Sequence, residues 1–539
     1  MELNLADLFE SVSDATPERV AVACGARRLT YRQLDERSTR LAHGLASLGV
    51  APGEHVGLCM RNTIEHIESM LACYKLRAVP ININWRYEAS ELAYVLEDAD
   101  AVVVIHDAEF AERVGTASET VAAVRDLVEA GGARYSMLAA EGAAQRDLGP
   151  RSAADHYLLY TGGTTGRPKG VVWRHDDIFF AAIGGGNPGG PPIGRCEELA
   201  TNVRTNTAQR VRPFLPPDDP GPSQFVALSL GPLMHASGQW GALGTLLGGG
   251  TLVLDPSTHL DVEHALDLVE REQVCMLTLI GDTAGRPLVA AIEHEPHRWD
   301  LSSLRLIGSG GTMLSADTKR RLISTIPSLL AILEGIGSSE SPAHGVAVTT
   351  RTERSVASLT FASKAETILV DDELRPIAPG SGVVGRLATR GHVPIAYYKD
   401  PERTARTFVR IDGERYAVPG DYATVDHDGT IHLVGRGSSC INSGGEKVFA
   451  EEVEAELLTH PGVADVVVVG APDIEYGATV CAIVQPSASP PSLDDLRAHC
   501  RGRLAGYKLP RALVIVDRVE RTPAGKPDYA WARMVAASK

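Results

Sequence analysis

The sequence predicts an α/β fold: a large N-terminal domain of parallel and mixed sheets flanked by helices, followed by a small mobile α+β domain. Three observations carry this expectation. Short β-branched runs alternate with amphipathic stretches, the pattern of βαβ units feeding parallel sheets. At 539 residues the chain is too long for one hydrophobic core. Near Gly435 the character changes to small residues, LVGRGSSCINSGGEKV, which lead into a compact βαβ-like tail.

Taken in order, strands are expected at Val20 to Cys24, Val56 to Met60, Ala78 to Ile83 and Ala101 to Ile105, with helices from about Tyr31 to Leu48 and near Ile64 to Tyr74. The first helix is the best marked. Thr30 followed by Gln33 forms a capping box, and Leu34, Leu41, Leu45 and Leu48 repeat on one face. Such stripes belong to the core. From Gly184 to Ser223 the chain is rich in Gly and Pro at both ends, which predicts a long surface excursion with a role at the substrate entrance or none. In the tail a helix is expected around Ala450 to Leu458 and a strand at Ala464 to Val469. The domain boundary falls at 435/436, giving domains 1–435 and 436–539, and the small residues at Arg436 to Ser439 suit a hinge because they permit large φ/ψ changes.

Bulk properties exclude several classes. Eight scattered cysteines form no Cys-x-x-Cys pair and no spacing suited to zinc, so they read as reduced thiols of a cytoplasmic protein. The N-terminus lacks a basic start followed by an apolar core, and no apolar run reaches membrane-spanning length, so neither a secretory signal nor a transmembrane segment is expected. A formal net charge of -16 disfavours nucleic acid as a partner and leaves phosphate recognition to a local, water-excluded site.

Such a site is announced by YTGGTTGRPKGV, from Tyr160 to Val171. Glycines let backbone donors approach an anion, threonine hydroxyls add donors, and Lys169 adds charge; the composition is that of a phosphate cradle. It is not a Walker A loop, because Gly166 is followed by Arg167, Pro168 and Lys169 where Lys-Ser/Thr is needed.

The segment resembles the ATP-binding signature of the adenylate-forming superfamily, which comprises acyl-CoA synthetases, luciferases and peptide-synthetase adenylation domains. Gly162 stands where serine is commoner. The resemblance extends over essentially the whole chain. Together with WRHDDI, IGSSES, VPGDYA, AGYKLPR and TPAGKPDYAWA it is closest to FadD-type bacterial fatty-acyl-CoA synthetases, including those for carboxylates on the cholesterol side chain.

The resemblance implies ATP, Mg2+ and coenzyme A as reactants or cofactor, and it assigns roles residue by residue. Thr161, Gly162, Gly163, Thr164, Thr165, Gly166 and Lys169 would hold the phosphates, with Thr164 also catalytic. The Tyr-Gly-x-Thr-Glu pattern falls on Ile336, Gly337, Ser338, Ser339 and Glu340. Ile336 replaces the ring that stacks near adenine, and Glu340 is the metal ligand. Gly308, Ser309, Gly310, Gly311 and Thr312 match the turn against adenine and the acyl carbonyl. Asp421 would take the ribose hydroxyls, and Arg436 the ribose and α-phosphate. Pro419 replaces a commoner threonine. Lys526 matches the C-terminal lysine that bonds acid and α-phosphate oxygens during adenylation. His235, in LGPLMHASGQW, would line the acyl channel, whose walls are expected from 233 to 243 and 278 to 283. Ser438 stands at the hinge, where Asp or Lys is usual. Asn442, Ser443, Gly444, Gly445, Glu446 and Lys447 match the pantetheine loop, with Ser443, Gly444, Gly445 and Lys447 as CoA contacts. Ala450 stands where Pro often precedes Glu-Glu-Val-Glu.

The expected activity is therefore ATP-dependent ligation of a hydrophobic carboxylic acid, long-chain or steroidal, to CoA through an acyl-adenylate. An alternative on the same fold adenylates another group, such as nitrite for diazotisation of an aromatic amine, or passes the acyl group to an amine or a carrier protein. A nucleotide-binding protein without catalysis is disfavoured, since every expected catalytic position is filled. A homodimer is left open.

Overall fold

A computed structural model describes residues 3–161, 168–187, 191–205, 211–352, 359–443, 446–473, 477–501, 503–504, 506–522 and 526–538. The expected elements are present, Val20–Cys24 with the expected bounds and the others with edges shifted by at most four residues. The helix Tyr31–Ser47 starts on the Thr30/Gln33 capping box, with both reciprocal bonds formed. Strands run Val20–Cys24, His55–Cys59, Val79–Asn82 and Ala101–His106, and the second helix is Ile64–Leu76.

Two large sheets make up the N-terminal domain. In the first, His55–Cys59, Val79–Asn82, Ala101–His106, Asp126–Glu129 and His156–Thr161 are parallel, and Lys169–Arg174 turns back antiparallel to His156–Thr161. The glycine-rich segment is thus the connection of a hairpin, with Thr161 opposite Lys169. The second sheet has a parallel half, ordered Val20–Cys24, Thr251–Leu254, Val226–Ser229, Met276–Leu279, Leu306–Ser309 and Ala331–Ile336. Its direction reverses where Gly345–Thr350 pairs antiparallel with Ala331–Ile336, and an antiparallel half follows. The first strand of the chain therefore joins the second sheet, beside residues near 250. Alternation along the sequence could not show this.

The C-terminal domain is a three-stranded sheet of Val463–Asp473, Gly477–Pro486 and Ala512–Ile515, covered by the helices Ala450–Leu457 and Tyr529–Ala537. Its apolar core includes Val453, Leu457, Val466, Val468, Ile483, Leu496 and Ala532. Strand Thr430–Arg436 and the short turn Gly437–Ser439 lead into it.

The 184–223 excursion differs from its sequence reading. Its middle forms the helix Cys196–Thr205, whose Cys196, Leu199 and Val203 pack on the first helix, Leu5–Ala15. Val211, Phe214 and Leu215 pack beneath the second sheet with Phe225, Cys275 and Leu306. Glycine and proline mark the ends of this segment, and apolar residues between them bind it to the body.

The helices Leu5–Ala15, Tyr31–Ser47 and Ile64–Leu76 share a buried ionic knot. Lys75, fully buried, donates to Glu10 Oε1 and Asp35 Oδ1, each at 2.6 Å. Arg151 pairs with Glu10 and Asp7, and Arg146 with Asp35 and Asp14. Removing the central cation would leave carboxylates buried with too few partners. Lys75→Ala should cost about 3–5 kcal/mol, because the penalty for an uncompensated buried charge exceeds the net worth of the pair. The check is urea unfolding followed by tryptophan fluorescence, where the first transition should move to lower denaturant.

Candidate active site

The hairpin of His156–Thr161 with Lys169–Arg174 and the second sheet meet at one buried carboxylate. Glu340 follows the strand Ala331–Ile336 through a tight turn in which Ser338 N donates to Ser341 O at 2.8 Å and Glu340 N to Ser338 Oγ at 3.2 Å. Gly337 is required here, since a Cβ would collide with the Pro342 carbonyl. Lys169 Nζ lies 3.1 Å from Glu340 Oε1, and the Tyr397 hydroxyl donates to the same oxygen at 2.5 Å. Lys169 also donates to Tyr397 Oη at 3.1 Å, and Trp173 Nε1 to Ser339 O at 3.1 Å. Burial works against ionisation of Glu340. Lys169 and the bonds from Tyr397 and Ser338 outweigh it and hold the carboxyl below its ordinary range.

Asn82 fixes the other side of the hairpin. This buried side chain accepts from Tyr160 N at 2.8 Å and donates to Tyr160 O at 2.8 Å and Met234 O at 2.6 Å. It thereby ties the entry to the glycine-rich segment to the segment carrying His235. His235 caps the helix Ala236–Leu247 by position, and its Nε2 is shielded from water with no partner among the described residues. Burial, then Lys526 and Arg86, push its pKa down to about 4, so the ring is neutral at pH 7.

Beside this junction a cleft of about 220 Å³ lies between the domains. The large domain contributes Ser309 to Met313, Glu334 to Gly337, Asp282 and Asp421, and the small domain contributes Glu451, Glu454, Asp465, Arg521 and Lys526. One wall is apolar, formed by Ile336, Leu359, Phe361 and Leu433. Gly311, at φ +83°, makes the turn at the end of Leu306–Ser309. The Ser309 and Thr312 hydroxyls are buried without a hydrogen-bond partner among the described residues, so the cleft wall has unfilled bonding capacity. Asp421, 3% exposed, opens its strand opposite Arg436, and its Oδ2 lies 3.6 Å from His344 Nε2.

Of the residues singled out from sequence, Gly310, Gly311, Gly337, Asp421 and Lys526 line this one cleft. Ser338, Ser339, Glu340 and Lys169 form the adjoining cluster, which Thr161 joins by register with Lys169. Gly162, Gly163, Thr164, Thr165, Gly166, Gly444 and Gly445 lie outside the described residues, and the side chains of Arg436, Ser438 and Lys447 are not described. Ser443 is buried in the hairpin of Cys440–Ser443 with Glu446–Phe449 and is not among the residues lining the cleft.

Residues 9–398 match the family described as AMP-binding enzyme, and residues 452–526 match its C-terminal domain. The chain belongs to the AMP-binding enzyme family. It is 39% identical over 550 residues to a 3-oxocholest-4-en-26-oate–CoA ligase of Rhodococcus rhodochrous, covering 99% of this chain and 96% of that protein. It is 40% identical over 555 residues to a medium/long-chain-fatty-acid–CoA/3-oxocholest-4-en-26-oate–CoA ligase of Mycolicibacterium smegmatis, covering 100% of this chain and 97% of the relative. Among solved structures, the anthranilate CoA ligase AuaEII in complex with anthranoyl-AMP shares its fold, with a TM-score of 0.82 at 23% identity over 99% of this chain and 97% of that one. No helix among the described residues is long and apolar enough to cross a membrane.

Several residues of the site carried no motif. Tyr397 and Asn82 sit on strands and act by pairing partners distant in sequence, and Glu451 and Glu454, although part of the Glu-Glu-Val-Glu run after Ala450, had been given no role. Glu454 is now the more informative. Its Oε1 accepts from Val468 N at 2.8 Å in the small-domain core. Burial, then Glu451, push its pKa up to about 8, while the Val468 bond acts the other way. The folded state thus keeps a proton that the unfolded chain loses above about pH 4.5, so wild-type stability falls as pH rises from there toward 8. Glu454→Gln removes that slope. Thermal unfolding at pH 5 and pH 8 should show the variant gaining on wild type at the higher pH.

Proposed function

We propose that the protein is an ATP-dependent acid:CoA ligase whose acid is a bulky hydrophobic carboxylate, long-chain or steroidal. The observation that carries the reading is Lys526. A lysine of the small domain lines the same cleft as Gly310, Gly311 and Asp421 of the large domain. The substrate class is supported by the ligases that are 39–40% identical over nearly the full chain.

In the first half-reaction a carboxylate oxygen of the acid bonds to the α-phosphorus of ATP, and the bond to pyrophosphate breaks. Lys526 offsets the negative charge that gathers on the acid and α-phosphate oxygens. Asp421 accepts from the ribose hydroxyls, which an ionised carboxylate can do twice. Thr161, Thr164, Lys169 and the glycine-rich segment hold the phosphates. Ile336 and Phe361 offer the base an apolar wall. Glu340 is the residue that would hold Mg2+, which would offset the triphosphate charge. A single buried carboxylate fits an ion that takes its other ligands from phosphate and water. The neutral His235 is suited to an apolar acyl channel.

In the second half-reaction the CoA sulfur bonds to the acyl carbon, the mixed anhydride opens, and AMP leaves with the thiol proton lost to solvent. Rotation of 436–539 about Ser438 would withdraw Lys526 and bring Ser443, Gly444, Gly445 and Lys447 to the channel.

ATP–pyrophosphate exchange across a panel of long-chain, steroidal and aromatic acids tests the first step. CoA-dependent AMP release tests the acceptor. Exchange with hydrophobic acids and release only with CoA are expected; no exchange with any acid, or AMP release indifferent to CoA, overturns the ligase reading. Lys526→Ala should slow adenylation by roughly a hundred- to a thousandfold, while thioester formation from supplied acyl-adenylate survives.

A further inference from the structure

We infer that Arg286 is a positioning residue for adenylation, tying the cleft turn of the large domain to the part of the small domain that carries Lys526. The inference rests on the reading above that Lys526 acts in the first half-reaction.

The contacts form one continuous line. Asp282, at the cleft wall, takes Ser315 N at 2.9 Å and Ser315 Oγ at 3.1 Å on Oδ1, and its own amide donates to Met313 O at 2.9 Å. It therefore holds the segment that directly follows Gly310 to Thr312. One helical turn later Arg286 Nε donates to Asp282 Oδ2 at 2.8 Å. The far side of the same guanidinium crosses to the small domain, where Nη1 donates to the Ala464 carbonyl in Val463–Asp473.

From Ala464 the line continues to the lysine. The neighbouring Asp465 receives Arg521 Nη2 on both oxygens, at 2.6 and 2.8 Å, and Nε at 3.1 Å. Arg521 forms a β-bridge with Pro527, and Thr522 N donates to Lys526 O at 2.7 Å, so the backbone of Lys526 is held beside Arg521. Asp282, Asp465, Arg521 and Lys526 all line the cleft.

Arginine suits the crossing position because its planar fork bonds in two directions at once, which one ammonium cannot do in the same geometry. The helix carrying Arg286 is anchored independently by Leu288, Val289 and Ile292 in the large-domain core. Loss of the guanidinium should therefore release the small domain while leaving the large one folded. A single charge-assisted bond to a carbonyl favours one domain orientation by roughly ten- to a hundredfold, a bias small enough to be reversed in each turnover.

The experiment compares Arg286→Ala and Arg286→Lys with wild type in two assays: acid-dependent pyrophosphate exchange, and single-turnover thioester formation from supplied acyl-adenylate and CoA. Arg286→Ala should lower the kcat of exchange roughly ten- to a hundredfold with little change in the KM for ATP and no loss in the thioester step. Arg286→Lys should recover part of it. In a Lys526→Ala background Arg286→Ala should add nothing, because it acts through that lysine. Unchanged exchange, equal loss in both half-reactions, or a fully additive double variant overturns the inference. Lack of exchange by wild type itself would overturn the ligase reading. The domain contact is then judged on limited proteolysis, where Arg286→Ala should be cut faster between the domains and an unchanged rate counts against it.

Discussion

Glu340, Lys169 and Tyr397 hold the two sheets of the large domain in one relation, and the geometry of the cleft follows from it. A carboxylate just past the end of a parallel strand, a lysine from the hairpin of the first sheet and a tyrosine from that sheet's edge meet at one oxygen. The two sheets share an apolar core, in which Val22 and Leu252 of the second pack in one cluster with Val56, Leu58 and Tyr157 of the first. Polar contacts at this seam, with Trp173 reaching Ser339 and Asn82 reaching Met234, add direction to that packing and fix the strands that flank the glycine-rich segment. The seam also explains why the carboxylate stays ionised in a dry place: the cation beside it is built in.

The cleft lies where such a fold permits it. Ligands of open α/β sheets gather beyond the carboxyl ends of the strands, near a change in strand direction. Here Leu306–Ser309 and Ala331–Ile336 end at the cleft, and pairing switches from parallel to antiparallel on the latter. Ile336 packs with Phe361 and Ile431, so an aliphatic side chain occupies this position, and Phe361, two strands away, adds aromatic surface to the same wall.

Local chemistry was legible in the sequence. The Thr30 capping box marked the start of the helix Tyr31–Ser47. Asp421, Gly310, Gly311 and Lys526 were found through short motifs, and they line one cleft although the first and last lie over a hundred residues apart. What sequence could not show was pairing at long range. Val20–Cys24 finds its neighbour at Thr251–Leu254, and no local property of either strand names the other. Asn82, Tyr397 and Arg286 act through partners brought near only by the fold. The 184–223 segment misled for a different reason, because its Gly and Pro clusters report loop ends while Leu199, Val203 and Val211 report burial.

The neutral Glu454 has a thermodynamic consequence for the whole molecule. It removes one negative charge from the formal -16 of the folded chain. Near pH 7, chain collapse therefore captures a proton from the medium, and melting returns it. Calorimetric heats of melting recorded in phosphate and in Tris would differ, for that one proton, by the difference between the two buffers' ionisation enthalpies.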